Sequence, residues 1–556
     1  MGYKETYEIW KTDPFFDEAD RKELEALTDE KEIEDRFYRD LEFGTGGLRG
    51  VLGVGSNRMN KYNIRRATTG FGNFLLKKWG DDAKKKGVAV AFDCRNGSKE
   101  FALETALTMN ALGIPAYLYD QLSATPLLSW TVRYLGCVGG VVVTASHNPK
   151  EYNGYKAYDE TGAQLFPDDA DAVIAEVEKV DVRKTVLMPE EEAKAKGLLK
   201  IIGEKEIDEF VRTVENQAHP LPDAAKKDLK MVYTPLHGAG LVPVTKIWNS
   251  QGYTNYSVVK AQTVIDGNFP TVKSPNPEEH SALAMAIDQA KAENADIVVA
   301  TDPDSDRIGI AVLHDGEYIL FSGNQTGAML CNYVFERRKD RINDKTFMVK
   351  TVVTSEMGAD IARSLGIKVY DVLTGFKFIG ELMTRKLAEG ENFIFGYEES
   401  YGYLVGEHAR DKDAVLAAML VAEMTAYYKA QGKDLVQVKQ ELYDKFGFYF
   451  DKNDSYYLKG KDGAEKIKEI MNSLRKTGKD LMPGITEVKD YAPGIDGLPK
   501  SDVLKFFFEG GSWLAARPSG TEPKIKFYYA INKPNEAAAL KSYEEMKAVI
   551  EKYVNA

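Results

Sequence analysis

Two stretches of this 556-residue chain crowd reactive side chains into a few positions. In V-V-V-T-A-S-H-N-P-K-E-Y-N-G-Y-K-A-Y (141–158), an apolar run delivers Ser146 and His147 into a turn stiffened by Asn148 and Pro149. A hydroxyl beside an imidazole can attack a carbonyl, carry a phosphate or cap the turn. The G-x-S-x-G elbow of serine hydrolases is missing, since Thr144 and Asn148 stand where its glycines belong. In T-D-P-D-S-D-R (301–307), Asp302, Asp304 and Asp306 bring three carboxylates within five residues. Unpaired, they repel one another. A hard divalent cation, with oxygen ligands suited to Mg2+, resolves the repulsion. An EF-hand is excluded, because Arg307 and Leu313 occupy the places of its glycine and glutamate.

Two further stretches suit a phosphorylated sugar. F-G-Y-E-E-S-Y-G-Y (395–403) brackets Glu398, Glu399 and Ser400 between Gly396 and Gly402. Carboxylates and a hydroxyl match sugar hydroxyls, each of which both donates and accepts. A-R-P-S-G-T-E-P-K-I-K-F-Y (516–528) offers the planar fork of Arg517, the hydroxyls of Ser519 and Thr521, and the ammonium groups of Lys524 and Lys526. Gly520 lets backbone N–H groups turn inward to form an anion nest. Taken singly, each stretch also reads as a polar surface turn. G-T-G-G-L-R-G (44–50) fails as a dinucleotide fingerprint, with Arg49 in the third glycine's place, and no Walker A sequence occurs, so nucleotide binding is unsupported.

The elements that must position these groups are strands and helices in alternation. Apolar strands are expected over 88–92, 116–119, 141–144, 230–233, 256–259, 297–300, 346–353, 368–372 and 392–395, most of them followed by a helical segment. That alternation predicts α/β domains with largely parallel sheets, and such folds hold ligands at the C-terminal ends of their strands. Ser146 and the aspartates stand at such ends. The last ~110 residues are turn-rich, with an aromatic strand over 446–450 and a closing helix over 535–554, and read as a separate α+β domain. The expected division is 1–205, 206–321, 322–445 and 446–556.

Length agrees with several domains, at one per roughly 150 residues. A net charge of −12 argues against broad binding to nucleic acid or anionic membrane, and leaves anionic metabolites to local basic pockets. Cys94, Cys137 and Cys331 are scattered and odd in number, which fits a reducing cytosol better than disulfides or a zinc site. No apolar run approaches the ~18 residues of a membrane helix and no signal peptide is read, so a cytoplasmic location is expected.

The order of T-A-S-H-N-P, D-x-D-x-D-R, E-E-S and R-x-S-G-T along the whole chain resembles the α-D-phosphohexomutase superfamily, which includes phosphoglucomutases and phosphomannomutases. G-T-G-G-L-R-G, the L-T-G-F-K segment at Thr374 and Gly375, and R-D-K-D-A-V (410–415) also look like family segments. The resemblance implies four domains around a central cleft: three related α/β domains with mixed sheets and a C-terminal α+β domain. It implies that Ser146 is the phosphorylated serine, flanked by Arg49 and His147. Asp302, Asp304 and Asp306 would hold one Mg2+ together with an oxygen of Ser146. Glu398 and Ser400, with Thr374 and Gly375 nearby, would read the sugar. Arg517, Ser519, Gly520, Thr521 and Lys526 would bind the unreactive phosphate, and Lys156 would act as general acid or base.

The implied activity is interconversion of α-D-glucose 1-phosphate and glucose 6-phosphate by a monomer or homodimer, with glucose 1,6-bisphosphate as intermediate and activator. The E-E-S form leans toward glucose over mannose phosphate. The length and the T-G-G-L-R-G form keep a phosphopentomutase-like branch open. Some relatives carry a histidine where Gly402 stands, so no acid–base role transfers there. Two other classes are weighed. An apolar strand into D-x-D also suits a phosphatase using Asp302 as nucleophile, though Asp306 stands where that motif prefers Thr or Val. A non-catalytic sugar-phosphate sensor is the other.

Overall fold

The computed structural model describes residues 2–44, 46–458, 460–519 and 524–555. Four sheets follow one another along the chain. The first contains β1 (Gly47–Val51), β2 (Val88–Phe92), β3 (Ala116–Tyr119), β4 (Gly139–Val143), β5 (Tyr152–Tyr158) and β6 (Leu199–Ile202), in the order β1-β5-β4-β2-β3-β6. The second contains β7 (Met231–Thr234), β8 (Tyr256–Val258), β9 (Ile297–Thr301), β10 (Ile308–His314) and β11 (Glu317–Phe321), in the order β11-β10-β9-β7-β8. The third contains β12 (Thr346–Thr351), β13 (Lys368–Val372), β14 (Asn392–Glu398) and β15 (Gly402–Leu404), in the order β13-β12-β14-β15.

In each of these sheets the central strands are parallel and an antiparallel strand follows the one that carries the site: β4 is followed by β5, β9 by β10 and β14 by β15. The central strands are apolar along their length because helices cover both faces; β2, β4 and β9 are buried at every residue. The antiparallel additions make the sheets mixed rather than largely parallel. β4 also starts earlier than its apolar run suggests and ends at Val143, which leaves Thr144 outside the ladder.

The fourth sheet, β16 (Phe448–Tyr457), β17 (Ile485–Asp490), β18 (Leu504–Phe508), β19 (Trp513–Pro518) and β20 (Lys524–Lys533), is antiparallel throughout, in the order β16-β20-β19-β18-β17. The helices Gly460–Thr477 and Glu536–Asn555 belong to its own core cluster. The first three units share one continuous core that includes the helix Ala414–Lys429. That helix is apolar around most of its circumference, as a helix enclosed on all sides must be. Asp413 caps it by accepting from the N–H groups of Val415 (2.8 Å) and Leu416 (3.0 Å), which fixes the chain direction at Lys412. The fourth unit meets the third through a smaller cluster that includes Val352, Leu373, Tyr491, Trp513 and Tyr528, and Lys505 Nζ donates to the Val352 carbonyl at 2.7 Å.

Three helices, Tyr3–Thr12, Glu18–Glu25 and Glu30–Phe37, precede β1; Trp10 and the interhelical Phe16 pack on Tyr62, and Phe37 packs on Trp10. No helix among the described residues is long and apolar enough to cross a membrane.

Candidate active site

The three site-bearing loops are equivalent connections, each joining a buried strand to its antiparallel neighbour at the carboxyl edge of a sheet. Each also holds one non-glycine residue in the left-handed region: Ser146 at φ 52°, Ser305 at φ 52° and Tyr401 at φ 64°. Such residues persist only where surrounding contacts over-determine them. The aspartate loop is braced from both sides. The N–H of Thr125, at the start of the helix that follows β3, donates to the Asp304 carbonyl (2.8 Å), and Ile308 N–H, at the start of β10, donates to the Tyr401 carbonyl (3.1 Å).

These loops and the fourth unit enclose one cleft of about 1180 Å³. Ser146 Oγ donates to Asp302 Oδ2 at 2.7 Å and lies 3.2 Å from His147 Nδ1. Asp302, Asp304 and Asp306 are buried, and one carboxylate oxygen of each lies within 4.8 Å of the other two. The Asp302 Oδ1 atom accepts from the N–H groups of Asp306 (3.1 Å) and Arg307 (3.0 Å). Lys156 Nζ donates to Asp304 Oδ2 (2.7 Å) and Asp306 Oδ2 (3.2 Å), and Lys412 Nζ lies 2.8 Å from Asp306 Oδ2. The Oδ1 atoms of Asp304 and Asp306 are buried without a hydrogen-bond partner among the described residues. Buried acceptor oxygens without donors, in an all-oxygen set, fit a hard divalent cation.

The electrostatics divide the triad. Burial, then the charges of Asp304 and Asp306, push the Asp302 carboxyl well above the usual range. Burial also acts on Asp306, but the ammonium groups of Lys412 and Lys156, with Arg307, overcome it and hold that carboxyl low. Against the cost of burial, Lys156 is in turn kept protonated by Asp304 and Asp306, and Lys412 by Asp306 and then Asp411. His147 is driven the other way, well below its ordinary value, by burial and then by Arg307 and Arg49. It is a neutral imidazole at neutral pH and stands beside Ser146, with no carboxylate among the described residues hydrogen-bonded to it as the orienting partner of a triad base.

Arg49 sits on β1, which pairs with β5 so that Arg49 faces Gly154 and Gly47 faces Lys156. Residues 47–50 of the segment that fails as a nucleotide loop therefore lie on a strand that delivers a guanidinium beside the serine loop, where Arg49 Nη1 donates to Asn148 Oδ1 at 3.4 Å. On the opposite wall, Glu398 ends β14 and accepts from Gly375 N–H at 2.7 Å. Burial pushes its carboxyl up to about 7, against the pull of Lys412. Glu399 is held by the hydroxyls of Thr351 and Thr354, each at 3.2 Å. Thr374, Gly375 and Ser400 line the same wall. From the fourth unit come Arg517, Ser519 and Lys526, with Arg517 paired to Lys526 across β19 and β20. Burial lowers the Lys526 ammonium below its ordinary value, with the charge of Lys524 adding to the shift. Gly520 and Thr521 lie outside the described residues.

Two contributions to the cleft are absent from the sequence reading. Lys412 lies in the R-D-K-D-A-V segment, but nothing local says that its ammonium reaches Asp306. Gly402 records its path: a Cβ there would lie 3.0 Å from Lys412 Cβ, so no larger side chain fits without displacing the lysine. β16 also faces the cleft through Asp451, Asn453 and Ser455. The unbroken polar run D-K-N-D-S (451–455), directly after the aromatic F-Y-F, was the available signal.

Four family models match in order: phosphoglucomutase/phosphomannomutase α/β/α domain I over 40–184, domain II over 208–316, domain III over 322–446, and the C-terminal domain over 461–546. The chain is 35% identical over 516 residues to a protein named phosphoglucomutase from Staphylococcus haemolyticus, covering 90% of this chain and 92% of that protein. Among solved structures it resembles parafusin, a phosphoglucomutase from Paramecium, in an open form (TM-score 0.70, 19% identity, 93% of this chain and 96% of that one). It also resembles a phosphoglucomutase/phosphomannomutase family protein from Burkholderia thailandensis (TM-score 0.68, 19% identity, 92% and 97%).

Proposed function

Because the chain belongs to the phosphoglucomutase/phosphomannomutase family, we propose that it interconverts α-D-glucose 1-phosphate and glucose 6-phosphate through a phosphorylated Ser146. The observation that carries this reading is the placement of the Ser146 hydroxyl. It faces the cleft, 2.7 Å from the aspartate triad and opposite Arg517 and Lys526. Asp302, Asp304, Asp306 and Ser146 would hold Mg2+, which when bound supplies positive charge to the transferring phosphoryl group.

Transfer breaks the bond between Ser146 Oγ and phosphorus and forms one to a sugar hydroxyl, whose proton ends on Ser146 Oγ. Lys156, held protonated beside the triad, is suited to give its proton to the departing Oγ and to take up the one that the sugar hydroxyl loses, which leaves it charged as before. Arg49, Lys412 and Arg307 spread the developing charge, and catalysis is otherwise positioning. Glu398, Ser400, Thr374 and Gly375 read the sugar. Arg517, Ser519 and Lys526, with Gly520 and Thr521, hold the phosphate that is not being transferred. Glucose 1,6-bisphosphate is the intermediate: it turns over in the cleft and returns its other phosphate to Ser146. The name of the Staphylococcus relative favours glucose.

The test is a comparison of kcat/KM on glucose 1-phosphate, mannose 1-phosphate and ribose 1-phosphate, with the matching bisphosphate supplied. Glucose 1-phosphate is expected to lead by at least about tenfold, roughly one strong hydrogen bond. A lead for mannose or ribose phosphate would reassign the substrate, and no turnover of any would favour a sensor. Arg517→Ala is expected to raise KM roughly ten- to a hundredfold, the worth of a charge-assisted bond to phosphate. It should also slow turnover, since a loosely held distal phosphate leaves the reacting hydroxyl misplaced against Ser146. Unchanged kinetics would remove Arg517 from the phosphate site.

A further inference from the structure

We propose that Arg95 is the positioning residue for Ser146, and that it couples the serine loop to the docking of the second domain; this rests on the reading of Ser146 as phosphoryl carrier. Arg95 lies in the D-C-R-N-G turn that follows β2 and is buried, 3% exposed. Its Nη2 donates to the carbonyls of Ser146 (2.6 Å) and Asn148, and its Nη1 to those of Pro149 (2.9 Å) and Tyr152 (3.1 Å). Three carbonyls of the serine loop and that of the first residue of β5 thus converge on one planar group. A guanidinium presents its donors in a fixed fork, whereas a lysine offers a single nitrogen.

The other side of Ser146 is tied as firmly. Its N–H donates to Thr144 Oγ1 (2.8 Å), and Thr144 Oγ1 donates to Asp93 Oδ2 (2.6 Å). Asp93 lies 3.4 Å from Arg95 Nε and also accepts from Ser98 Oγ at 2.7 Å. Ser146, at φ 52°, is therefore gripped at its N–H and its carbonyl by one connected network, and its hydroxyl is left to point at Asp302.

The second domain closes this network from outside. The Arg95 guanidinium lies 5.0 Å from the centre of the Phe269 ring, a cation–π contact. Gly267 packs so closely that a Cβ there would strike the backbone of Arg95 and Asn96. Asn96 Nδ2 donates to Asn268 Oδ1 (3.1 Å) and Ser274 Oγ to the His147 carbonyl (3.0 Å). Phe269 is itself held at φ 46°. The domain that grips Arg95 is the one that carries Asp302, so the fork sets Ser146 Oγ against the triad. Neither Arg95 nor Phe269 lines the cleft, which separates this role from binding substrate.

Arg95→Lys and Phe269→Leu, each in the full chain, test this through kcat and KM on glucose 1-phosphate, the thermal midpoint, and hydrogen exchange over 144–153. For Arg95→Lys, kcat should fall about a hundredfold, the cost of roughly 1 Å of misplacement, with KM within about threefold of wild type. Exchange of 144–153 should quicken roughly tenfold or more while β2 and β4 are unchanged. Phe269→Leu should move the same quantities the same way by a smaller factor. Wild-type kcat and exchange in Arg95→Lys would overturn the proposal, since charge alone would then suffice. So would faster exchange across the whole chain with a falling midpoint in both variants, which marks a folding role. If the wild-type protein turns over no sugar phosphate and carries no phosphoryl group on Ser146, the functional reading fails. The exchange comparison still decides the positioning role.

Discussion

Ser146→Ala is expected to abolish turnover, by on the order of 10⁴-fold or more, and to leave the chain folded. The loss is large because no neighbour can replace the hydroxyl as carrier. Asp302, the other nucleophile in reach, is fully buried and occupied by the backbone N–H groups of Asp306 and Arg307. It does not line the cleft, whereas Ser146 does. The stability cost is one hydrogen bond between the Ser146 hydroxyl and Asp302, about 1–3 kcal/mol. Mass spectrometry of the wild-type protein should find phosphoryl on Ser146. Near wild-type activity in the alanine variant, or an acyl phosphate on Asp302, would defeat the phosphoserine mechanism and restore the phosphatase-like alternative.

Chelation of divalent cations should remove at least about 10³-fold of the activity, since a metal is the largest local charge in a phosphoryl-transfer site. Added Mg2+ should restore it. The chain should not unfold in the chelator, because Lys156 and Lys412 already compensate the triad at 2.7 to 3.2 Å. A cation at a hundred times its dissociation constant adds about 2.7 kcal/mol. Its removal should therefore lower Tm by no more than about 10 °C for a unit of this size. Asp306→Asn should be worse than chelation, since among the described residues it leaves buried Lys412 with only Asp411, at 3.3 Å, as an ion-pair partner. Full activity in the chelator would remove the metal from the mechanism.

What could be read from the sequence follows from how far apart the cooperating residues lie. Ser146 and the three aspartates were legible because each set is contiguous and follows an apolar strand. The central strands were legible because burial on both faces forces apolar runs. β1 and β5 were not, although β5 carries Lys156. Most of β5 is buried, yet it reads Y-N-G-Y-K-A-Y, because its polar groups are satisfied by other loops and by another domain. The three N-terminal helices pack a core of their own and gave no chemical signal.

By itself the sequence determined which groups are available: a hydroxyl beside an imidazole, a trio of hard oxygen ligands, two carboxylates next to a serine, and a basic loop, each encoded within a few consecutive residues. Only the tertiary structure decided how those groups act on one another. Lys412 lies more than a hundred residues from Asp306 and Arg95 about fifty from Ser146. Their partnerships rest on electrostatics and hydrogen bonds that fall off within a few ångströms, so they exist only where folding closes the distance.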